Sequence, residues 1–377
     1  MPRSVERVAL VHDFFVQDGG AERCAIELAA LLPDAPVYTT FFDENRFGSR
    51  LDPRRVHTWP LQRAIGPTPR FRAFLPLYPI WFSMLDLRAA EVVISSSVAF
   101  AKAIRTSGRA THVSYIYTPM RYAWDLDAYL DRSSYGIAAR VAAHTIRPAL
   151  KAWDRRTARS PDLLVAISEE VRGRVRTLWG RDARIIHPPV DTSEITLALD
   201  HDGYYLVAAR LLAYRRIDLA VEACLMLGRE LVVVGDGPER ASLERLAAGG
   251  PVRFLGHVER PTLLRLFSRC RAYLLPGIED FGIAPLEAAA AGKPVVAYRA
   301  GGALETVLED RTGIYFDHQD ARSLAAAIER SESMVFDPAT LRAHAERFDR
   351  RVFLDRWRQL LADLGVEGDV VGAAADT

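Results

Sequence analysis

Lysine is nearly missing from this chain of 377 residues: among its 49 lysines and arginines only Lys102, Lys151 and Lys293 are lysine. Alanine is abundant, and the pairing of these two biases reads as codon usage, which weakens any argument built on one arginine standing where a lysine is expected. Cysteine is scarce as well. Cys24, Cys224 and Cys270 are odd in number and far apart, which excludes a disulfide framework and a zinc-ligand pattern and leaves them as small core residues. The nine histidines show no paired metal spacing. No apolar run reaches the length of a membrane span, and MPRSVERVALVHD enters a strand without a signal-peptide core. A cytoplasmic protein is the expectation. Neither sign of charge dominates, the formal net charge being +1, so nothing global argues for nucleic acid.

What is present is a regular alternation. RVALVHD, APVYTTFF, EVVISSS, HVSYIYT and DLLVAIS read as strands, with AERCAIELAALL and RPALKAWDRRTARS as helices between them. Such alternation predicts an α/β fold with parallel sheets wrapped by helices. The pattern pauses at HPPVDTSEITLALDHDG, residues 187–203, read here as an interdomain linker. A second set follows: YYLVAA, ELVVVGDG, VRFLGH, AYLLPG and PVVAYRA. Two Rossmann-like domains are expected, over 1–190 and 200–345, with a ligand cleft at the carboxyl ends of their strands. A helix at about 346–364 is expected to fold back on the first domain, and 365–377 to be a disordered tail.

Several stretches could carry chemistry. In PGIEDFGIAPLEAAAAGKPVVA, Glu279 and Glu287 stand eight positions apart, a spacing that suits neither a helix face nor a strand face. Pro285 belongs in a first helical turn and Gly292 with Pro294 marks a stop. Glu279 then precedes the helix and Glu287 falls in its first turn. The amides of Gly282, Ile283 and Ala284 lie between them at the positive end of the helix dipole. The two acids either complement that dipole or flank an anionic ligand. Gly19 and Gly20 separate the first strand from the first helix, as a tight turn or as a close approach for a ligand. LVVVGDGPERASLERL resembles a dinucleotide fingerprint until Arg240 replaces its third glycine, which disfavours a dehydrogenase. Arg210 and Arg215 or Arg216 flank a strand end, where they are either solvated charge or a diphosphate clamp. In residues 54–82 arginines alternate with Trp59, Phe71, Phe74, Tyr78 and Trp81 among five prolines. That pattern fits peripheral contact with anionic membrane or a basic loop packed on the domain. Asp125 and Asp127 form an acid-x-acid pair, but metal binding is not expected there, because arginines and helix amides can supply the same charge.

Taken in order, VHDFFVQDGGAE, TPMRYAWD, PPVD, ARLLAYRRIDLAVEA, VVVGDGPE, EDFGIAPLEA and GGALETV resemble glycosyltransferase family 4. These are retaining enzymes of GT-B fold, and the likeness is to the mannosyltransferases that build O-antigen and other surface polysaccharides. The resemblance implies a metal-independent retaining transferase that uses GDP-mannose, needs no cofactor, and acts on a glycan or lipid-linked saccharide. It implies that Glu279 bonds donor-sugar hydroxyls and Glu287 the ribose. Asp280, Phe281, Gly282 and Ile283, with Arg210 and Arg215, would line the donor diphosphate. Gly235, His257 and Val258 would border the base, while Gly19 and Gly20 would approach the donor from the first domain. Tyr117 stands where relatives carry a histidine facing the donor sugar, and Arg121 and Asp125 fall on the acceptor side. Arg215 replaces the lysine of the usual clamp. A UDP-sugar donor, a small-molecule acceptor, or a nucleotide-sugar-binding protein without catalysis remain as alternatives.

Overall fold

The structure, a computed structural model, describes residues 3–4, 8–66, 74, 76–106, 110–126 and 137–367. It divides into two compact units. Unit 1 comprises residues 1–124, 146–188 and 353–377, and unit 2 comprises 125–145 and 189–352. The sequence places the whole of 1–190 in the first domain; the division assigns 125–145 to unit 2. Both sheets are parallel, as in the GT-B α/β fold.

In unit 1 a short strand β1 (Arg3–Ser4) precedes β2 (Val8–His12), β3 (Val37–Thr39), β4 (Val56–Thr58), β5 (Val92–Ser97), β6 (Thr111–Ile116), β7 (Leu163–Ala166) and β8 (Arg184–Ile185). The seven from β2 to β8 form one sheet ordered β4-β3-β2-β5-β6-β7-β8. Every residue of β2 and β5 is buried, because helices cover both faces of a parallel sheet. The strand order reverses between β2 and β5, and the loops after these two strands open the crevice where such sheets bind ligands.

Unit 2 repeats the scheme with β9 (Tyr205–Ala208), β10 (Leu231–Val234), β11 (Val252–Gly256), β12 (Ala272–Leu275), β13 (Val295–Tyr298) and β14 (Gly313–Phe316). Their order is β11-β10-β9-β12-β13-β14, so the reversal lies between β9 and β12. Leu206, Val232, Leu274 and Val296 are fully buried at its centre.

Three expectations gain detail. The boundary between the units falls at 188/189, inside the stretch 187–203 read as a linker, and residues 189–203 are bonded to unit 2. Thr192 donates its hydroxyl to Asp349 at 2.5 Å, Arg342 donates to the carbonyls of Thr192 and Ile195, and Lys293 donates to those of Ala198 and Asp200. These side chains supply the bonds that strand pairing would otherwise give, and they strap an irregular segment to unit 2. The chain end is ordered further than expected. Helix Arg350–Asp363 sends Phe353 and Trp357 into unit 1, with Trp357 edge-on to Tyr115 at 5.4 Å, and β15 (Val366–Glu367) pairs with β1; residues 368–377 lie outside the described residues.

The aromatic side chains of 54–82 also do not present a lipid-facing surface. Tyr78 and Phe82 are fully buried and Trp59, Phe74 and Trp81 pack on the same cluster, while Arg55 turns inward to the carbonyls of Ala29, Leu32 and Ala35. Phe71 lies outside the described residues. Among the described residues, no helix is long and apolar enough to cross a membrane.

One of the three lysines is interior. Lys102 Nζ lies 2.8 Å from Asp154 Oδ1 with both side chains essentially unexposed, and the indole N–H groups of Trp124 and Trp179 both donate to Asp154 Oδ2 at 2.7 Å. Lys102 Nζ stands 5.3 Å from the Trp153 ring centroid. Removing one member strands the other charge. Lys102→Met is therefore expected to lower unfolding free energy by about 3–5 kcal/mol in urea titrations, and Lys102→Met with Asp154→Leu to recover part of it.

Candidate functional site

In unit 2 the loops after β9, β10 and β12 meet backbone to backbone. A Cβ on Gly277 would lie 2.6 Å from the carbonyl oxygen of Arg215 and 2.7 Å from its Cα. Gly235 has φ +119°, and a Cβ there would lie 2.0 Å from the carbonyl oxygen of Ala209; its N–H donates to Gly256 at 2.7 Å. Only glycine allows approaches this close. The strand-end loops are thus set against one another before any functional side chain is placed.

Glu279 follows Gly277 by two residues, and the N–H of Gly302 donates to its carbonyl at 2.8 Å. Its carboxylate makes an ion pair with the Nη1 of Arg215, the two side chains being 16% and 22% exposed. The Arg215 guanidinium also lies 5.1 Å from the ring centroid of Tyr214. Its Nε is enclosed and has no hydrogen-bond partner among the described residues. Unmet buried donors of this kind call for a partner.

Glu287 sits in the second turn of helix Ile283–Ala290, not the first, and no acid occupies the first turn. It is 4% exposed and pairs with Arg260 Nη1, while Arg260 Nε reaches Glu194 at 3.3 Å. Neither glutamate therefore serves merely to complement the helix dipole. The helix start itself is bare. Gly282 leads it with φ +102° and no side chain caps it, as is also so of the helices beginning at Ile217, Arg240 and Arg260. The first amides of a helix have no partner within it, and here they fall between two Glu–Arg pairs in the sequence, a setting that favours an anion.

The other unit 2 residues are placed as follows. Arg210 is exposed at the end of β9, His257 and Val258 follow β11, and Asp280 is half-buried beside Glu279. The Phe281 ring is 3% exposed and packs against Phe348 at 5.6 Å, which leaves its backbone for a ligand. Arg216 adopts φ +50° and bonds Asp218, leaving Arg215 as the arginine turned to Glu279.

In unit 1 the glycine pair has a different basis from the one expected. Neither Gly19 nor Gly20 has positive φ. The Gly19 N–H donates to Glu22 Oε2 at 3.1 Å, and a Cβ on Gly19 would lie 2.7 Å from that oxygen. Glu22 is 2% exposed; burial pushes its carboxyl up to about 8 against the opposing pull of the backbone N–H groups. Tyr117 also departs from expectation. Its hydroxyl donates to the Ala21 carbonyl at 3.0 Å and meets Ser96 Oγ at 2.9 Å, and Ser96 Oγ contacts His12 Nδ1 at 3.0 Å. This chain ties β2 and β5 to the first turn of helix Gly20–Leu31, and the hydroxyl is already engaged within unit 1. Burial holds the phenol well above its ordinary range.

Asp13 is fully buried, and its carboxylate accepts the N–H groups of Val98, Ala99, Phe100 and Ala101 at 2.5–2.9 Å. It fixes the loop after β5 to the loop after β2. Arg121 opens the one-turn helix Arg121–Trp124 after β6, whose end is held by Arg147 donating to the carbonyls of Ala123 and Trp124; Asp125 follows directly. Asp127 lies outside the described residues.

The sequence reading missed Asp13, Glu22, Arg260 and Gly277. Gly277 stands in a Pro-Gly step two residues before Glu279 and could have been flagged as a close approach. Arg260 is 27 residues from Glu287 in sequence, with β12 between their helices, and no local pattern connects them.

Comparison with known proteins adds to this geometry. Residues 18–194 match the family model described as Glycosyltransferase Family 4, and residues 192–346 match that described as Glycosyl transferases group 1. A glycogen synthase of Mycobacterium tuberculosis is 36% identical over 133 residues, 34% of this chain and 31% of that protein. A GDP-mannose-dependent alpha-(1-6)-phosphatidylinositol monomannoside mannosyltransferase of Mycolicibacterium smegmatis is 28% identical over 236 residues, 54% of this chain and 60% of that protein. The matched stretch thus spans about a third to three-fifths of these relatives. Among solved structures, Anabaena Alr3699/HepE in complex with UDP and glucose superposes with a TM-score of 0.70 at 19% identity, over 94% of this chain and 99% of that one. That likeness concerns the fold.

Glu22 gives a pH test. Its carboxyl ordinarily titrates at 4.5 and is lifted to about 8 in the folded chain, so the unfolded chain ionises first as pH rises and Glu22 costs stability across that window. Glu22→Gln, which keeps the acceptor for Gly19, is expected to gain stability relative to the natural chain by roughly 3 kcal/mol between about pH 5 and pH 8. Urea titrations at the two pH values read the difference.

Proposed function

We propose that this chain, whose two halves match two glycosyltransferase models in order, is a family 4 glycosyltransferase of GT-B fold that transfers mannose from GDP-mannose to a glycan or lipid-linked saccharide. The transfer retains anomeric configuration, needs no metal, and takes place in the cytoplasm. The observation that carries this reading is the Glu279–Arg215 pair beside the uncapped start of helix Ile283–Ala290. The GDP-mannose dependence of a relative such as the Mycolicibacterium protein supports the choice of donor.

In this reading the donor diphosphate lies at the amides of Gly282 and Ile283 and accepts from the guanidinium groups of Arg210 and Arg215. Glu279 accepts from the sugar hydroxyls. Glu287, held by Arg260, accepts from the ribose. The bond between the sugar C1 and the diphosphate oxygen breaks with its electron pair leaving on that oxygen. The acceptor hydroxyl attacks C1 from the same face and its proton passes to the departing diphosphate. No carboxylate base is needed. The protein's work is to stabilise charge growing on the leaving group with donors already in place.

A second reading is a nucleotide-sugar-binding protein without catalysis. It is favoured by Tyr117, whose hydroxyl is engaged inside unit 1, and by Arg215, which already carries Glu279. Calorimetry with GDP and UDP, together with a radiolabelled transfer assay, separates the readings. The first predicts tighter binding of GDP, transfer from GDP-mannose, and a turnover about 100- to 1000-fold lower in Arg215→Met with less change in donor affinity. Binding without transfer or donor hydrolysis would support the second, and preference for UDP would overturn the assigned donor.

A further inference from the structure

Helix Ala303–Thr306 is only four residues long. A single turn does not hold its own shape, because the cost of starting a helix is recovered only over many further bonds. The carbonyls at its end also have no partner within it. Here they are met from outside. The Tyr315 hydroxyl, on β14, lies 2.8 Å from the carbonyl oxygens of both Ala303 and Val307. His344 Nε2, on helix Pro338–Glu346, lies 3.1 Å from that of Thr306. A carbonyl oxygen can only accept, so Nε2 carries the hydrogen and donates. Both side chains are buried, where a carbonyl left without a donor would be costly.

On its other side this turn bears on the loop that carries Glu279. The Gly302 N–H donates to the Glu279 carbonyl at 2.8 Å. A Cβ on Gly301 would lie 2.5 Å from that carbonyl oxygen, and one on Gly302 would lie 2.3 Å from the Cα of Phe281. Thr306 closes the turn, its N–H and its hydroxyl both donating to the Gly302 carbonyl at 3.1 Å. His344 reaches the same loop by a second route: its ring stands edge-on to Phe348 at 5.5 Å, and Phe348 packs on Phe281. The loop is thus backed by one hydrogen-bonded path and one aromatic path, and both lead to His344.

We propose that His344 and Tyr315 are positioning residues for Glu279. They satisfy the end carbonyls of the turn, the turn fixes Gly302, and Gly302 sets the Glu279 backbone, so the carboxylate meets the donor sugar in one orientation. Neither side chain touches the ligand. The inference rests on the reading of Glu279 as the acceptor for donor-sugar hydroxyls. Glu287 is held separately by Arg260, so nucleotide binding is expected to outlast loss of either brace.

Three substitutions isolate the hydrogen bonds. His344→Phe keeps a ring against Phe348 and removes the donor, His344→Gln keeps an N–H donor, and Tyr315→Phe removes only the hydroxyl. Hydrogen–deuterium exchange of the full chain reads the turn directly. Amides of residues 301–307 are expected to exchange about 5- to 100-fold faster in the two phenylalanine variants, as loss of a buried partner implies. The strands of unit 2 stay unchanged, and His344→Gln stays near the natural chain. In transfer from GDP-mannose, kcat is expected to fall about 10- to 100-fold in both phenylalanine variants. GDP affinity by calorimetry stays within about threefold, and His344→Gln restores turnover. Unchanged exchange at 301–307, faster exchange spread over all of unit 2, an unaffected kcat, or a kcat that falls only in step with GDP affinity would each overturn the proposal. Exchange needs no substrate: a natural chain that transfers nothing would count against the function proposed above, and the exchange rates would still decide whether the braces hold the turn.

Discussion

The close approach of Gly277 to the backbone of Arg215 is the constraint on which the rest of unit 2's site depends. The loops after β9 and β12 emerge on either side of the point where strand order reverses. With no Cβ between them, the two backbones touch, and the side chains that follow, Arg215 from one and Glu279 from the other, are brought into an ion pair. A partly exposed pair of this kind adds little to stability by itself. Its value is geometric: it holds a carboxylate and a guanidinium together where the loops after β9 and β12 meet.

The spacing of Glu279 and Glu287 follows from the same arrangement. Eight residues suit no single element because the two acids belong to different ones, a loop held by Gly302 and a helix whose second turn is buried. Each has its own arginine. The helix start lies between them in the chain, and the proposed donor site rests on these three features together.

Much of the fold was legible in the sequence. The strands of both sheets stand out as short apolar runs, because burial on both faces removes polar alternation, and Pro285 and Gly292 bound the helix that carries Glu287. The site residues were legible as positions more than as roles. Gly19 does not turn through positive φ; the carboxylate of Glu22 lies on its flank. Tyr117 anchors a helix through Ala21 instead of standing free, and Phe281 packs on Phe348. In each case the deciding partner is three to 96 residues away in sequence, and composition or periodicity holds no record of such contacts. Asp13 shows the same limit, since nothing near it announces the four amides of residues 98–101 that it gathers.

The central claim is that a nucleotide-sugar places its diphosphate at the start of helix Ile283–Ala290, between Glu279 and Glu287. A crystal structure of the chain soaked with GDP-mannose and UDP-glucose in competition tests it most directly. The account predicts guanine-nucleotide density with its phosphates at the amides of Gly282 and Ile283 and the ribose at Glu287. A nucleotide bound away from residues 279–287, or one bridged to the protein through a divalent ion, would contradict it.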